Sequence, residues 1–264
     1  AVTCIDHPVA REMVDRLGLR RDGRPLLTYG TREESDLVLR AVKSDGHTTL
    51  IDADLGPRVK GGPRAIRGWT VPMPGQHNAL NALAAIAVAA EAGIADDVIR
   101  AGLAAFSGVK RRFQLTGTWN GVQIFDDYGH HPAEIAAVLE AARAGARGRV
   151  IAVVEPHRYT RVRDLFREFS ACFAAADSVI VTPLYSAGEA PIDGIDPRSL
   201  ADGIRATGHA AVATIDDPRE LVGVVQHHAR PGDMVICLGA GNSTEWAHAL
   251  PEWLAAAEPR RAGS

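Results

Sequence analysis

The chain has 264 residues, 46% of them hydrophobic and 23% charged, with a net charge of 29 − 32 = −3. That length suits one large domain or two ordinary ones, and the apolar share supports a sizeable core rather than a disordered tail. A near-neutral balance gives no global pull toward nucleic acid or an anionic membrane, so any anion site must come from local arginine clusters.

Residues 1–6 read as a strand and 8–19 as a helix, with Val9, Met13, Val14 and Leu17 on one face. The chain thus opens in the middle of a sheet, as a piece of a longer protein would. Pro25–Tyr29, Leu37–Val42, His47–Ile51 and Trp69–Val71 read as strands, with a Gly- and Pro-rich loop over 56–63. Pro74-Gly75-Gln76-His77-Asn78-Ala79-Leu80-Asn81 then opens a buried helix running to Ala92. Asn78 suits a helix start. That does not account for Asn81, three positions on and on the same face. Two amides there match the hydrogen-bonding edge of a planar heterocycle such as adenine.

Asp96 is placed to cap a helix over 97–105. After it come Lys110-Arg111-Arg112-Phe113, whose guanidinium groups suit phosphate oxygens. Lys110 reads better as part of a solvated face. The pattern restarts after Phe113 with a hairpin, Leu115–Trp119 and Val122–Phe125 around Asn120-Gly121, so the domain boundary is expected there. Strands at Val150–Val154, Ser178–Thr182, Ala211–Thr214 and Asp233–Leu238 alternate with helices that include Leu165–Phe173, Leu200–Ala206 and Leu221–His228. Such alternation predicts an α/β fold with a mostly parallel, doubly wound sheet.

In such a sheet ligands sit beyond the C-terminal strand ends. Four polar clusters are expected there: Asp126 to His131, His157 to Arg161, Tyr185 to Glu189, and Gly239 to Asn242. Arg158 and Arg161 suit a carboxylate or phosphate; His130 and His157 suit proton exchange near neutral pH. Gly239-Ala240-Gly241-Asn242 is a partial phosphate-cradling loop and a weak signal alone. The adjacent His130 and His131 point apart, and no metal-binding motif appears, so no protein-chelated metal is expected. Cys4, Cys172 and Cys237 show no CxxC spacing, which argues against a disulfide framework or a thiolate zinc site; all three are expected in the core. With no spanning-length apolar run and no signal-peptide pattern, the expected compartment is the cytoplasm.

Taken together, Gly75-Gln76-His77-Asn78-Ala79-Leu80-Asn81, Arg111-Arg112-Phe113, Asp126-Asp127-Tyr128-Gly129-His130-His131-Pro132, Pro156-His157-Arg158-Tyr159-Thr160-Arg161 and Gly239-Ala240-Gly241-Asn242 resemble the Mur ligase family over nearly the whole chain. The resemblance implies residues 1–113 as the later part of the family's central ATPase domain and 114–264 as its Rossmann-like C-terminal domain. It implies ATP-dependent joining of L-alanine to UDP-N-acetylmuramate through an acyl phosphate, in peptidoglycan precursor synthesis. By that resemblance His77, Asn78, Asn81, Arg112 and Asp127 hold ATP. Tyr128, His130, His157, Arg158 and Arg161 place the substrates, and Arg112 and His130 are the candidate catalytic groups. A GxxxxGK[ST] loop is absent from the sequence, so the family's phosphate-loop lysine and its Mg2+-arranging residues are expected upstream of Ala1, and a chain lacking them is expected to be inactive alone. Glu155 and Ser243 stand where the resemblance leads one to expect Gln and an apolar residue. Two other readings stay open at this stage. One is a recycling ligase that attaches a preformed tripeptide; the other is a non-catalytic nucleotide- or anion-binding module.

Overall fold

A computed structural model describes residues 1–18, 25–44 and 48–257. The chain forms two compact units, Ala1–Gly108 and Val109–Ser264.

The first unit runs β1 (Val2–Cys4), α1 (Pro8–Arg16), β2 (Leu27–Gly30), β3 (Leu37–Ser44), β4 (Thr49–Leu55), β5 (Arg64–Val71), α2 (Gln76–Glu91) and α3 (Asp96–Ala104). Its sheet has the order β1-β2-β3-β4-β5; β1, β2 and β3 are parallel, while β4 and β5 pair antiparallel. The alanine-rich face of α2 lies against it, burying Ala79, Leu83, Ile86 and Ala87 beside Leu37, Ile51 and Leu55. Here local expectation and structure part in several places. Helix α1 buries only Val14, while Val9, Met13 and Leu17 stay exposed. Strand β5 begins at Arg64, not Trp69, because Gly68, at φ +60°, sits at a register shift that interrupts the alternation, between the Ile51–Trp69 and Ala53–Ile66 pairs. Ala95, not Asp96, caps α3; Asp96 instead receives a two-pronged bond from Arg64, Nε–Oδ2 2.7 Å and Nη2–Oδ1 2.9 Å. Cys4 is only partly buried, on the edge strand β1. The expected helix end at Leu19 and strand start at His47 lie outside the described residues.

The second unit runs β6 (Gln114–Trp119), β7 (Val122–Asp127), α4 (Pro132–Gly145), β8 (Val150–Val154), α5 (Tyr159–Asp164), α6 (Phe166–Ala171), β9 (Ser178–Val181), α7 (Pro197–Ala206), β10 (Val212–Thr214), α8 (Glu220–His228), β11 (Met234–Leu238) and α9 (Ser243–Ala256). The sheet order is β10-β9-β8-β11-β7-β6, parallel except for the β6–β7 hairpin. Asn120 (φ 46°) and Gly121 (φ 78°) make its turn, the pair of positive φ angles that a two-residue hairpin loop needs. Every residue of β8 and β11 is buried, as strands covered on both faces must be. Val150, Ala152 and Val154 face α4, α6 and α7; Ile151 and Val153 face α8 and α9. The helix expected over 165–173 is the shorter α6, and a separate short helix not expected from sequence, α5, precedes it, the two broken at Leu165 (φ −118°).

This order carries the functional consequence. The chain leaves β7, skips the place later filled by β11, and enters β8, then walks outward to β9 and β10. The sheet order therefore reverses around β8, β11 and β7, the switch point where an open parallel sheet leaves a crevice at its C-terminal ends.

Candidate functional site

The end of β7 is rigid for a physical reason. Both carboxylate oxygens of Asp127 accept backbone N–H groups, Oδ2 from Phe113 and Oδ1 from Gly129, each at 2.7 Å. Asp127 is 2% exposed, and burial outweighs those two bonds, pushing its carboxyl up to about 6. Tyr128 N–H donates to Arg111 O at 2.7 Å, which ties the arginine turn to the strand end. Arg111 lies 4.8 Å over the Tyr128 ring and donates through Nη2 to Gly239 O at 2.7 Å. Arg112 is exposed, with its guanidinium carbon 5.9 Å from the same ring. Lys110 is exposed.

The two neighbouring histidines separate in role. His131 caps α4: its Nδ1 accepts from Ala133 N–H at 3.3 Å, and Glu134 returns a bond to His131 N–H. Pro132 fills the first helical position. His130 turns toward β8 instead. Its Nδ1 is 2.9 Å from Tyr128 O and 3.6 Å from Glu134 Oε2. Both neighbours only accept, so Nδ1 carries a proton, and in the neutral form of the ring Nε2 presents a lone pair.

At the end of β8 the chain turns through Pro156 into His157 and Arg158. Arg158, at φ 69°, opens α5, and its N–H donates to Tyr185 O at 2.9 Å. His157 lies 5.6 Å from His130 between ring centroids and stacks on Tyr185 at 5.2 Å and 17°. Tyr128 meets His130 edge-on at 5.0 Å. The four rings make a ladder across the ends of β7, β8 and β9. Arg161 Nη1 sits 3.3 Å from His157 Nδ1. A guanidinium can only donate, so Nδ1 accepts and Nε2 of His157 holds the proton. Burial, then the Arg161 charge, His130 and Arg158 push His157 down to about 4, so its ring is neutral at physiological pH. Glu189 accepts from Thr160 N–H at 3.0 Å and Thr160 Oγ1 at 2.7 Å, and lies 3.8 Å from Arg158.

Of the residues singled out from sequence in this unit, Arg112, Asp127, Tyr128, His130, His157, Arg158 and Arg161 gather at the ends of β7 and β8. Asp127 does so as a buried pin. The Gly239–Asn242 turn does not have the open form of a phosphate cradle. Amides at both of its ends are already engaged: Gly239 N–H donates to Asp127 O at 3.1 Å, Asn242 N–H to Glu155 Oε1 and the following Ser243 N–H to Glu155 Oε2, both at 3.1 Å. In the sequence Glu155 stands out only as a departure from the family pattern. The available signal was a carboxylate ending an otherwise apolar strand.

In the first unit, His77 and Asn78 lie on the first turn of α2, which Gly75 caps at φ 96°, and Asn81 on the second. Asn78 is the third helical residue, not the cap; it is 5% exposed and donates from Nδ2 to Pro74 O at 2.8 Å. Its Oδ1 takes a 3.4 Å bond from Nδ2 of the exposed Asn81. Asn78 thus aims Asn81, whose remaining amide atoms face outward. Among the described residues no three acids, imidazoles or thiols converge on a point that would hold a metal ion. Nor is any described helix long and apolar enough to cross a membrane.

Residues 111–241 match the family model described as Mur ligase, glutamate ligase domain. The chain is 52% identical over 254 residues to the UDP-N-acetylmuramate–L-alanine ligase of Brucella anthropi, covering 96% of this chain and 53% of the relative. It is 54% identical to the enzyme of that name from Rhodopseudomonas palustris, covering 95% and 53%. The chain therefore spans about half the length of the curated relatives it matches. The crystal structure of the UDP-N-acetylmuramate–alanine ligase of Thermotoga maritima superposes with a TM-score of 0.71 at 22% identity, over 88% of this chain and 48% of that one. The MurF ligase of Thermotoga maritima in complex with ADP gives 0.68 at 22% identity, over 96% and 53%. These structures share the fold. The family-model match, together with sequence identity of 52% and 54% over 96% and 95% of this chain, leaves one assignment: the chain belongs to the Mur ligase family.

Proposed function

We propose that this chain is part of an ATP-dependent ligase that joins L-alanine to UDP-N-acetylmuramate in peptidoglycan precursor synthesis, a cytoplasmic reaction. Residues 1–113 contribute to its central ATP-binding domain and 114–264 form its amino-acid-binding domain. The observation that carries the reading is the pair of opposed imidazoles. His130 offers a lone pair at Nε2 and His157 an N–H at Nε2, 5.6 Å apart between ring centroids, beside Arg161. An amino-acid zwitterion needs that combination: an acceptor for its ammonium and donors for its carboxylate.

His130 takes a proton from the ammonium through Nε2 and leaves a nucleophilic amine. His157 cannot compete for that proton, because Arg161 occupies its Nδ1 and its Nε2 is already protonated. It donates instead, with Arg158 and Arg161, to the amino acid's carboxylate. The Tyr128 ring, met edge-on by His130 and covered by Arg111, flanks the site. The exposed Arg112 suits the phosphate charge of a bound nucleotide, and the outward amide of Asn81, aimed by Asn78 with His77 beside it, suits a purine edge. Asp127 acts by holding the Arg111–Phe113 turn and Gly129 in place. ATP supplies the activation that a carboxylate lacks, as an acyl phosphate. The remaining work is positioning and charge stabilisation, which these side chains are built to do. The described residues offer no cage for Mg2+.

The test is a titration of this chain with L-alanine, followed by the ring signals of His130 and His157 in NMR. L-alanine at millimolar concentration is expected to move both, and a tripeptide bearing an N-terminal alanine to move them less. Ring signals indifferent to L-alanine up to about 50 mM, far above ordinary substrate affinities, would refute the reading. A larger response to the tripeptide would point to the recycling reaction.

A further inference from the structure

We infer that Glu155 is a positioning residue for His157: its carboxylate ties the first amides of α9 to the end of β8 and so sets the Gly239–Asn242 turn against the Tyr185 ring on which His157 stacks. The path is short and each step is a contact. Glu155 N–H donates to Leu238 O at 2.8 Å, which locks the end of β8 to the end of β11. Its two oxygens then close the following turn through the amides of Asn242 and Ser243. A Cβ on Gly241 would lie 2.7 Å from Glu155 Oε2 and 2.6 Å from Tyr185 Cγ, so the turn is wedged between carboxylate and ring. Tyr185 is bonded to the segment after Glu155 through its own N–H to Pro156 O at 2.8 Å, and lies flat on His157.

Both oxygens meet N–H donors, so the site asks for two acceptors. A carboxylate supplies them; a carboxamide supplies one and sets its NH2 against the other N–H. Burial pushes the Glu155 carboxyl up, while the amides at the positive end of α9, a helix of 14 residues, pull it back toward the charged form. Arg111 is the charged group beside it. An anion already built into the protein fills this cradle, and so the turn serves the ring ladder instead of a nucleotide phosphate.

The proposal rests on the reading of His157 as a substrate-facing group, but its experiment reads the ring without substrate. The histidine ring signals of the chain are followed against pH in the parent protein, E155A, E155Q and Y185L, with thermal unfolding measured beside them. His157 in the parent is expected to titrate at about 4. In E155A the loosened stack re-exposes the ring, and titration above about 5 is expected. E155Q keeps one of two acceptors and is expected to fall between, and Y185L to resemble E155A. A lower unfolding temperature in E155A with His157 still titrating as in the parent would overturn the proposal, since a purely structural anchor does that. If E155A does not fold, E155Q and Y185L decide it: parent-like titration in both overturns it. L-alanine binding with an unmoved His157 titration would leave the functional reading standing and this one refuted.

Discussion

Replacing Asp127 by Asn should make stability respond to pH in a way that isolates one buried carboxyl. In the folded protein this group titrates at about 6, against 3.8 for an ordinary aspartate, because burial outweighs the amides of Phe113 and Gly129. At 1.36 kcal/mol per pH unit the difference is about 3 kcal/mol. The sign follows from linkage. A carboxyl whose folded value is raised contributes stability that is complete below the unfolded value and is lost as pH rises through the folded one. About 2 of those 3 kcal/mol are lost between pH 4.5 and 8. An amide has no charge to desolvate, so D127N lacks this slope, and titrating groups that do not interact with Asp127 are shared and cancel in the comparison. At any one pH the variant also loses an acceptor for one amide, at about 1–3 kcal/mol. The parent should therefore be clearly the more stable at pH 4.5, and the gap should shrink by about 2 kcal/mol by pH 8. Urea unfolding at five pH values, followed by tryptophan emission, measures it; for slopes of roughly 2 kcal/mol per molar the midpoints converge by about 1 M. A gap that stays constant, or widens as pH rises, would show that the two amides outweigh burial and that the carboxyl sits low rather than high.

Other outcomes follow from contacts already described. Gly241→Ala places a methyl 2.6 Å from Tyr185 Cγ; it should cost about 1–3 kcal/mol by overpacking, and unchanged thermal unfolding would mean that the ring yields freely. Arg161→Gln removes the charge facing His157 but leaves burial, the larger cause, in place. The ring should then titrate above about 4 yet below the ordinary 6.5, and a value unmoved in NMR would contradict the Nδ1 contact. Leu83→Ala, at a fully buried position on α2, should cost 2–5 kcal/mol in urea unfolding; a loss under about 1 kcal/mol would mean that this core collapses around the gap.

The second unit was largely legible in sequence because its central strands are covered on both faces. Val150–Val154 and Met234–Leu238 are unbroken apolar runs, and such runs stop where the chain leaves the sheet. The first unit was less legible. Gly68 hid the first half of β5, and α1 carries an apolar set of which only Val14 finds the core. Asn78 and Asn81 were readable as a pair, but their order of dependence was not. The bond to Pro74 O that fixes Asn78 is to backbone, which has no signature in side-chain spacing. Glu155 failed for the same reason: its partners are amide groups 87 and 88 residues away.

The chemistry and its placement are written at different ranges along the chain. What makes His130 an acceptor is a carbonyl two residues back; what makes His157 a donor is an arginine four residues on. Each tautomer is therefore a local property that a short peptide motif can encode. The distance between the two rings is not local. It depends on β11 entering the sheet between β7 and β8, on Arg111 reaching Gly239 across 128 positions, and on Glu155 closing the start of α9. A substitution at His130, His157 or Arg161 should therefore change what a ring does while leaving the fold intact. A substitution at Glu155, Gly241 or Asp127 should leave each ring's chemistry possible but misplace it. The first kind should act on proton transfer, and the second on how tightly the zwitterion is held.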